Sequence, residues 1–102
     1  MMTTRFYSNL GLAMRAGKMV TGDEGVLDAI RKGEAKLVIV AQDASENTRK
    51  KFRDKCIYFQ TPHLEYGLRE QLGPSIGRAE RVVMAITDSG FAKMLVNCAE
   101  VE

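Results

Sequence analysis

Lys36-Leu37-Val38-Ile39-Val40-Ala41 is an apolar run with three consecutive β-branched residues, bounded by polar and helix-forming segments. Apolar residues at successive rather than alternate positions mark a strand covered on both faces. Arg81-Val82-Val83-Met84-Ala85-Ile86-Thr87 repeats the pattern towards the other end of the chain. Two such strands call for helices on each side of one sheet. Lys18-Met19-Val20-Thr21 and Ile57-Tyr58-Phe59-Gln60 are shorter candidates, which brings the sheet to about four strands.

Helical spacing fills the intervals. From Thr3 onward, Phe6, Leu10, Ala13 and Met14 recur every three or four residues, and Gly17 supplies the stop. Within Glu24–Lys32, the stripe Val26, Leu27, Ala29 and Ile30 predicts a second helix ended by Gly33. Capping residues in Asp43–Thr48 open a third, from about Glu46 to Lys55. Pro62 precedes a fourth over Leu64 to Gln71, closed by Gly73-Pro74, and Asp88 caps a fifth through Phe91, Leu95 and Cys98. The predicted fold is α/β, a three-layer α/β/α sandwich with a mixed sheet. No stretch has the composition of a linker or a repeat, so residues 1–102 are expected to form one domain.

Composition sets the outer limits. With 45% hydrophobic and 27% charged positions among 102 residues, disordered and collagen-like classes are excluded, and the apolar runs are too short to span a bilayer. The polar start Met1–Tyr7 has no secretory apolar region, which predicts a cytoplasmic location and no membrane partner. Cys56 and Cys98 have neither CxxC spacing nor a nearby His, as expected of reduced, packed thiols. Fifteen basic residues against thirteen acidic ones give a net charge of only +2.

Three segments could carry chemistry, and each has a plain structural alternative. Val20-Thr21-Gly22-Asp23-Glu24-Gly25 leaves a strand and enters a helix, where backbone N–H groups and the positive dipole end can seat a phosphate or a base edge. It can equally be an ordinary turn with Asp23 or Glu24 favouring the dipole. Leu72-Gly73-Pro74-Ser75-Ile76-Gly77-Arg78 combines glycines that permit close approach, an apolar contact in Ile76 and a phosphate contact in Arg78. Alternatively, it is a turn with Ile76 in the core. In Arg49–Lys55, five of seven residues are basic; that density suits a nucleic-acid backbone, or a solvated face paired with Asp54, Asp43 and Glu46.

Catalytic arrangements are thin. His63 is the sole histidine and no nucleophile is placed near it. Asp43 and Asp88 follow the two long strands where helix caps belong. No metal, cofactor, catalytic residue or small-molecule substrate is expected.

Taken together, Phe6 to Lys18 with its Arg-Ala-Gly-Lys ending, Thr21-Gly22, Ala35 to Ser45, Leu72-Gly73 to Gly77 and Ala85 to Ala92 resemble the bacterial YlxQ-type branch of the ribosomal protein L7Ae/L30e superfamily. The resemblance spans nearly the whole chain. It implies an α/β/α sandwich that binds kink-turn or similarly bulged structured RNA, in a ribosomal setting, as a monomer and without catalysis. It also places a Gly-x-Asn-Glu-x-x-Lys motif at the start of the second helix. Gly22 matches its glycine, whereas Glu24, Gly25 and Asp28 stand at the Asn, Glu and Lys positions. Ionised acids only accept hydrogen bonds and repel phosphate. Lys32 matches a basic position of that helix; Leu72, Gly73, Ile76 and Gly77 match the loop that packs against an extruded nucleotide; Arg15 and Lys18 belong to the branch's own stretch. The RNA-contacting set implied is therefore Gly22, Asp23, Glu24, Gly25, Asp28, Lys32, Arg15, Lys18 and Leu72-Gly73 with Ser75 to Arg78. The alternative is a protein-interaction module that kept the fold with weakened RNA specificity.

Overall fold

The computed structural model describes residues 4–101. The chain runs α1 (Thr4–Arg15), β1 (Met19–Thr21), α2 (Asp23–Arg31), β2 (Leu37–Val40), α3 (Glu46–Tyr58), β3 (His63–Glu65), α4 (Arg69–Ser75), β4 (Val83–Ile86) and α5 (Ser89–Val101). The sheet order is β1-β4-β2-β3, antiparallel except where β3 joins β2 in parallel. It is a mixed four-stranded sheet, of which the apolar patterning places three strands, β1, β2 and β4. β2 and β4 lie at its centre with all four residues of each buried. α2 and α3 pack together over one face, and α1 with α4 and α5 over the other, which completes the α/β/α layering.

The core draws on every layer. Phe6 and Leu10 of α1, Ile30 of α2, Phe52 of α3, Leu72 of α4 and Leu95 of α5 close over the two central strands, each at most 1% exposed. Gly17 and Gly33 end α1 and α2 with positive φ, as their positions after each apolar stripe predict. The expected start of the first helix at Thr3 lies outside the described residues.

Two expectations fail in the middle of the chain. Ile57 and Tyr58 are not strand but the last turn of α3, and the chain turns through Phe59 and Gln60 before β3 begins at His63. Phe52 and Cys56, four apart, form the inner face of α3, which leaves Ile57 and Tyr58 on the outer one. The fourth helix begins at Arg69 rather than Leu64, because Leu64 is taken up by β3. Gly73-Pro74 does not close it: both residues are helical, and Pro74, which has no N–H to give to the Glu70 carbonyl, stands one residue before the helix ends at Ser75.

Asp88 caps α5 as predicted, accepting from the Phe91 N–H at 2.9 Å. Asp43 caps a different helix from the expected one. Its carboxylate accepts from the Arg69 N–H at 3.0 Å at the head of α4, while Ser45 caps α3 through the Thr48 N–H. Both cysteines are free and buried. Burial pushes the Cys56 thiol up to about 11. None of the described helices is long and apolar enough to cross a membrane.

Candidate functional site

Thr21 at the end of β1 pairs with Met84, so Gly22 meets the beginning of β4, and its N–H donates to the Val83 carbonyl at 3.2 Å. Gly22 is also the N-cap of α2, with φ 88° and ψ 156°, a conformation that only glycine adopts without strain. Gly22 has no side chain with which to cap this helix, and the first internal bond runs from the Val26 N–H to the Gly22 carbonyl. The N–H groups of Asp23, Glu24 and Gly25 consequently lack intrahelical partners at the positive end of the dipole. A Cβ on Gly25 would find only ordinary contact with Val20, so packing does not require glycine there.

The α4–β4 connection reaches the same end of the sheet. Beyond it, Val82 accepts from the Ala41 N–H, and the Arg81 N–H returns to the Arg69 carbonyl. A Cβ on Gly73 would collide with the Ala79 carbonyl, which shows how tightly this connection folds back onto α4. Bonds from the Gly77 N–H to Pro74 and from the Arg78 N–H to Gly73 curl the chain and turn Ile76 inward. Ile76 is 7% exposed and Leu72 is fully buried, so both belong to the core. This corrects the expectation that Ile76 offers an apolar face to a ligand. Ser75 donates its hydroxyl to the Leu72 carbonyl. Pro74, Gly77 at φ 77° and Arg78 are exposed, as are Ala79 and Glu80 beyond them.

Glu24, Asp28 and Lys32 are spaced by four and are all exposed, so they share the outward face of α2. Lys32 stands at the C-cap, about 15 Å along the helix from Gly22. It pairs with Asp28 at 3.0 Å, a hydrogen bond that raises the lysine pKa. Lys18 is not beside Gly22 either: its carbonyl accepts from the Thr87 N–H at the opposite end of β1. The Arg15 guanidinium lies back over Gly11, whose missing side chain lets α1 press against the Ser75 carbonyl. The structure therefore joins Gly22 to Gly25 with the approach to β4, spreads Asp28 and Lys32 along α2, and holds Lys18 apart.

The basic run of α3 is largely neutralised. Lys50 pairs with Asp54, Lys51 with Asp23, and Arg49 and Arg53 both with Glu65. Lys50 also holds the Asp54 carboxyl below the usual carboxylate range. Asp43, expected to join this network, is engaged by Arg69 instead. Sequence reasoning missed the link from Lys51 to Asp23, because 28 residues separate the partners and no local pattern signals it. Among the described residues, no group of three or more His, Cys, Asp or Glu is placed to hold a metal ion.

Residues 4–96 match the Ribosomal protein L7Ae/L30e/S12e/Gadd45 family. The chain belongs to this family. It is 50% identical over 88 residues to the RNA-binding protein YlxQ of Bacillus subtilis, an alignment covering 86% of this chain and 88% of the relative. It is 34% identical over 90 residues to the large ribosomal subunit protein eL30 of Dictyostelium discoideum, covering 86% of this chain and 80% of the other. A solved structure of a protein of unknown function from Bacillus halodurans superposes with a TM-score of 0.91 at 42% identity, covering 94% and 97% of the two chains. The L7Ae/L30e relatives named here are RNA-binding and ribosomal proteins, and the family is non-enzymatic.

Proposed function

We propose that this L7Ae/L30e family member binds structured RNA, a kink-turn or similarly bulged helix, in a ribosomal or translational setting of the cytoplasm. The whole chain, residues 1–102, acts as one monomeric binding domain. The observation that carries this reading is the uncapped start of α2, opened at Gly22 and set against the beginning of β4. The N–H groups of Asp23 to Gly25 hold a phosphate or base edge. Arg78 contacts backbone from the neighbouring loop, and Lys32 does so at the far end of the α2 face. Such a cradle suits an irregular RNA element, whose distorted backbone exposes groups that a regular duplex hides. The names borne by the Bacillus subtilis and Dictyostelium discoideum relatives support RNA as the partner class. Ile76 supports the loop from inside rather than touching the nucleotide.

The test is a gel shift with a kink-turn hairpin and two surface variants, Arg78→Glu and Lys32→Glu. Both residues are exposed, so both variants keep the fold. Each lowers affinity; unchanged binding by both contradicts the reading. The interaction-module alternative is favoured by one observation, the outward Ile57 and Tyr58 of α3 at 63% and 79% exposure, apart from the acidic α2 start. It prevails if the hairpin is not distinguished from a straight duplex.

A further inference from the structure

At the end of the β2–β4 ladder opposite Gly22, the Lys36 N–H donates to the Ile86 carbonyl. There the α2–β2 connection, the α3–β3 connection and α5 border an open cleft of about 500 Å³, within the size range of small-ligand sites. Its floor is apolar, formed by Ala35, Pro62, Ala92 and Val96. Phe59, 38% exposed, supplies an aromatic wall. Gln60 and Asn97 add two side-chain amides, and Lys36 and Lys93 two ammonium groups. No carboxylate occurs among the described residues that line it.

The wall is held in place. Gln60 takes φ 57°, sparsely populated for a residue with a side chain, and is fixed there by bonds from its own N–H to Ile57 and from the Thr61 N–H to Cys56. Lys36 rests on the Gly33 carbonyl at 3.4 Å, a long bond that it can leave for a better acceptor. Asp88, which accepts from the Phe91 N–H at the head of α5, does not line the cleft, and the charged groups that do are the two lysines. An apolar floor and aromatic wall suit a planar ring, amides that both donate and accept suit its edge, and paired ammonium groups suit a phosphate.

We propose that this cleft binds a single unstacked nucleotide, with its base against Phe59, its edge towards Gln60 and Asn97, and its phosphate between Lys36 and Lys93. The ligand is either a free nucleoside monophosphate or an unpaired nucleotide of an RNA; the chemistry is shared. The cleft is separated from the Gly22 turn by the length of β2, about 13 Å, and does not depend on the RNA-binding reading.

The experiment follows backbone amide NMR signals of the full chain during titration with AMP, adenosine and inorganic phosphate. In parallel, the affinity of a bulged hairpin is measured with and without a single-stranded 3′ overhang. AMP is expected to shift the amides of Gly33, Gln60 and Asn97, and adenosine or phosphate to do so more weakly. Phe59→Ala lowers AMP affinity about tenfold, the scale of one lost base–aromatic stack. Lys36→Gln with Lys93→Gln weakens AMP but leaves adenosine unchanged, and unaltered Tm values show that all variants are folded. If the overhang, and not AMP, engages the cleft in a Phe59-dependent manner, the nucleotide comes from RNA. If neither probe shifts the cleft amides, or if shifts are confined to Gly22–Gly25, the proposal is overturned. Arg78→Glu separates the two sites, since it weakens the hairpin while AMP binding persists.

Discussion

Gly22 and Gly25 stand three residues apart in one turn, yet alanine has opposite consequences at the two positions. At Gly22 there is open space around a Cβ but φ is +88°, so alanine costs about 1–3 kcal/mol through the backbone alone. At Gly25 the residue is already helical with room beside Val20, so alanine stabilises by about 0.5–1 kcal/mol. Gly73→Ala drives a Cβ into the Ala79 carbonyl and prevents the α4–β4 connection from closing. Urea unfolding midpoints of the three variants check this order: Gly25→Ala above wild type, Gly22→Ala below it, and Gly73→Ala lowest or unfolded. The sequence marks all three glycines as positions of interest. It cannot tell a glycine needed for its φ from one needed for a close contact, because the Gly73 contact exists only once Ala79 has folded back. Ile76 is ambiguous for the same reason, since either face of a loop can carry an isolated apolar residue.

At the scale of elements, β2 and β4 are legible because continuous apolar runs leave them no place but the middle of the sheet. β3 is not. His63, Leu64 and Glu65 form a half-buried edge strand with no apolar run to announce it, and the aromatic cluster just before it draws attention to the wrong residues. α3 is stabilised at its head by Ser45, and Ser45→Ala lowers stability by about 1 kcal/mol in thermal or denaturant unfolding. Its inner face carries the pH-sensitive group. The Cys56 thiol ionises in the folded chain near 11 against 9.0 when unperturbed, so folding favours the neutral form. Its contribution is complete below 9.0 and is lost as the pH rises towards 11. Denaturant unfolding across that window therefore shows wild-type stability falling more steeply than that of Cys56→Ala; parallel curves would contradict the assignment.

For the whole molecule, the charge distribution matters more than the net +2. Ion pairs engage four of the five basic residues in Arg49–Lys55, and Asp28 engages Lys32. Charge attraction alone is therefore a weak source of RNA affinity, and shape carries more of it. Asp28→Lys removes one of the two acids from the outward α2 face, releases Lys32 and supplies the basic residue that the resemblance to the L7Ae/L30e motif implies there. Its expected effect is about a tenfold gain in kink-turn affinity, with a steeper salt dependence, read by fluorescence anisotropy. The fold, and the meeting of Gly22 with the approach to β4, follow from strand order and register. The isolation of Lys18 and the pairing of Lys51 with Asp23 depend on three-dimensional placement that no local spacing encodes. If the Gly22 cradle recognises distorted RNA by its form, the protein tells bent from straight RNA of equal length. The most direct measurement is titration of a labelled kink-turn hairpin and a straight duplex of equal length with the wild-type protein and Arg78→Glu, at low and high salt. Wild type is expected to prefer the hairpin at both salt concentrations and Arg78→Glu to lose the preference; equal affinities for the two RNAs, weakening together with salt, would show that charge and not form holds the RNA.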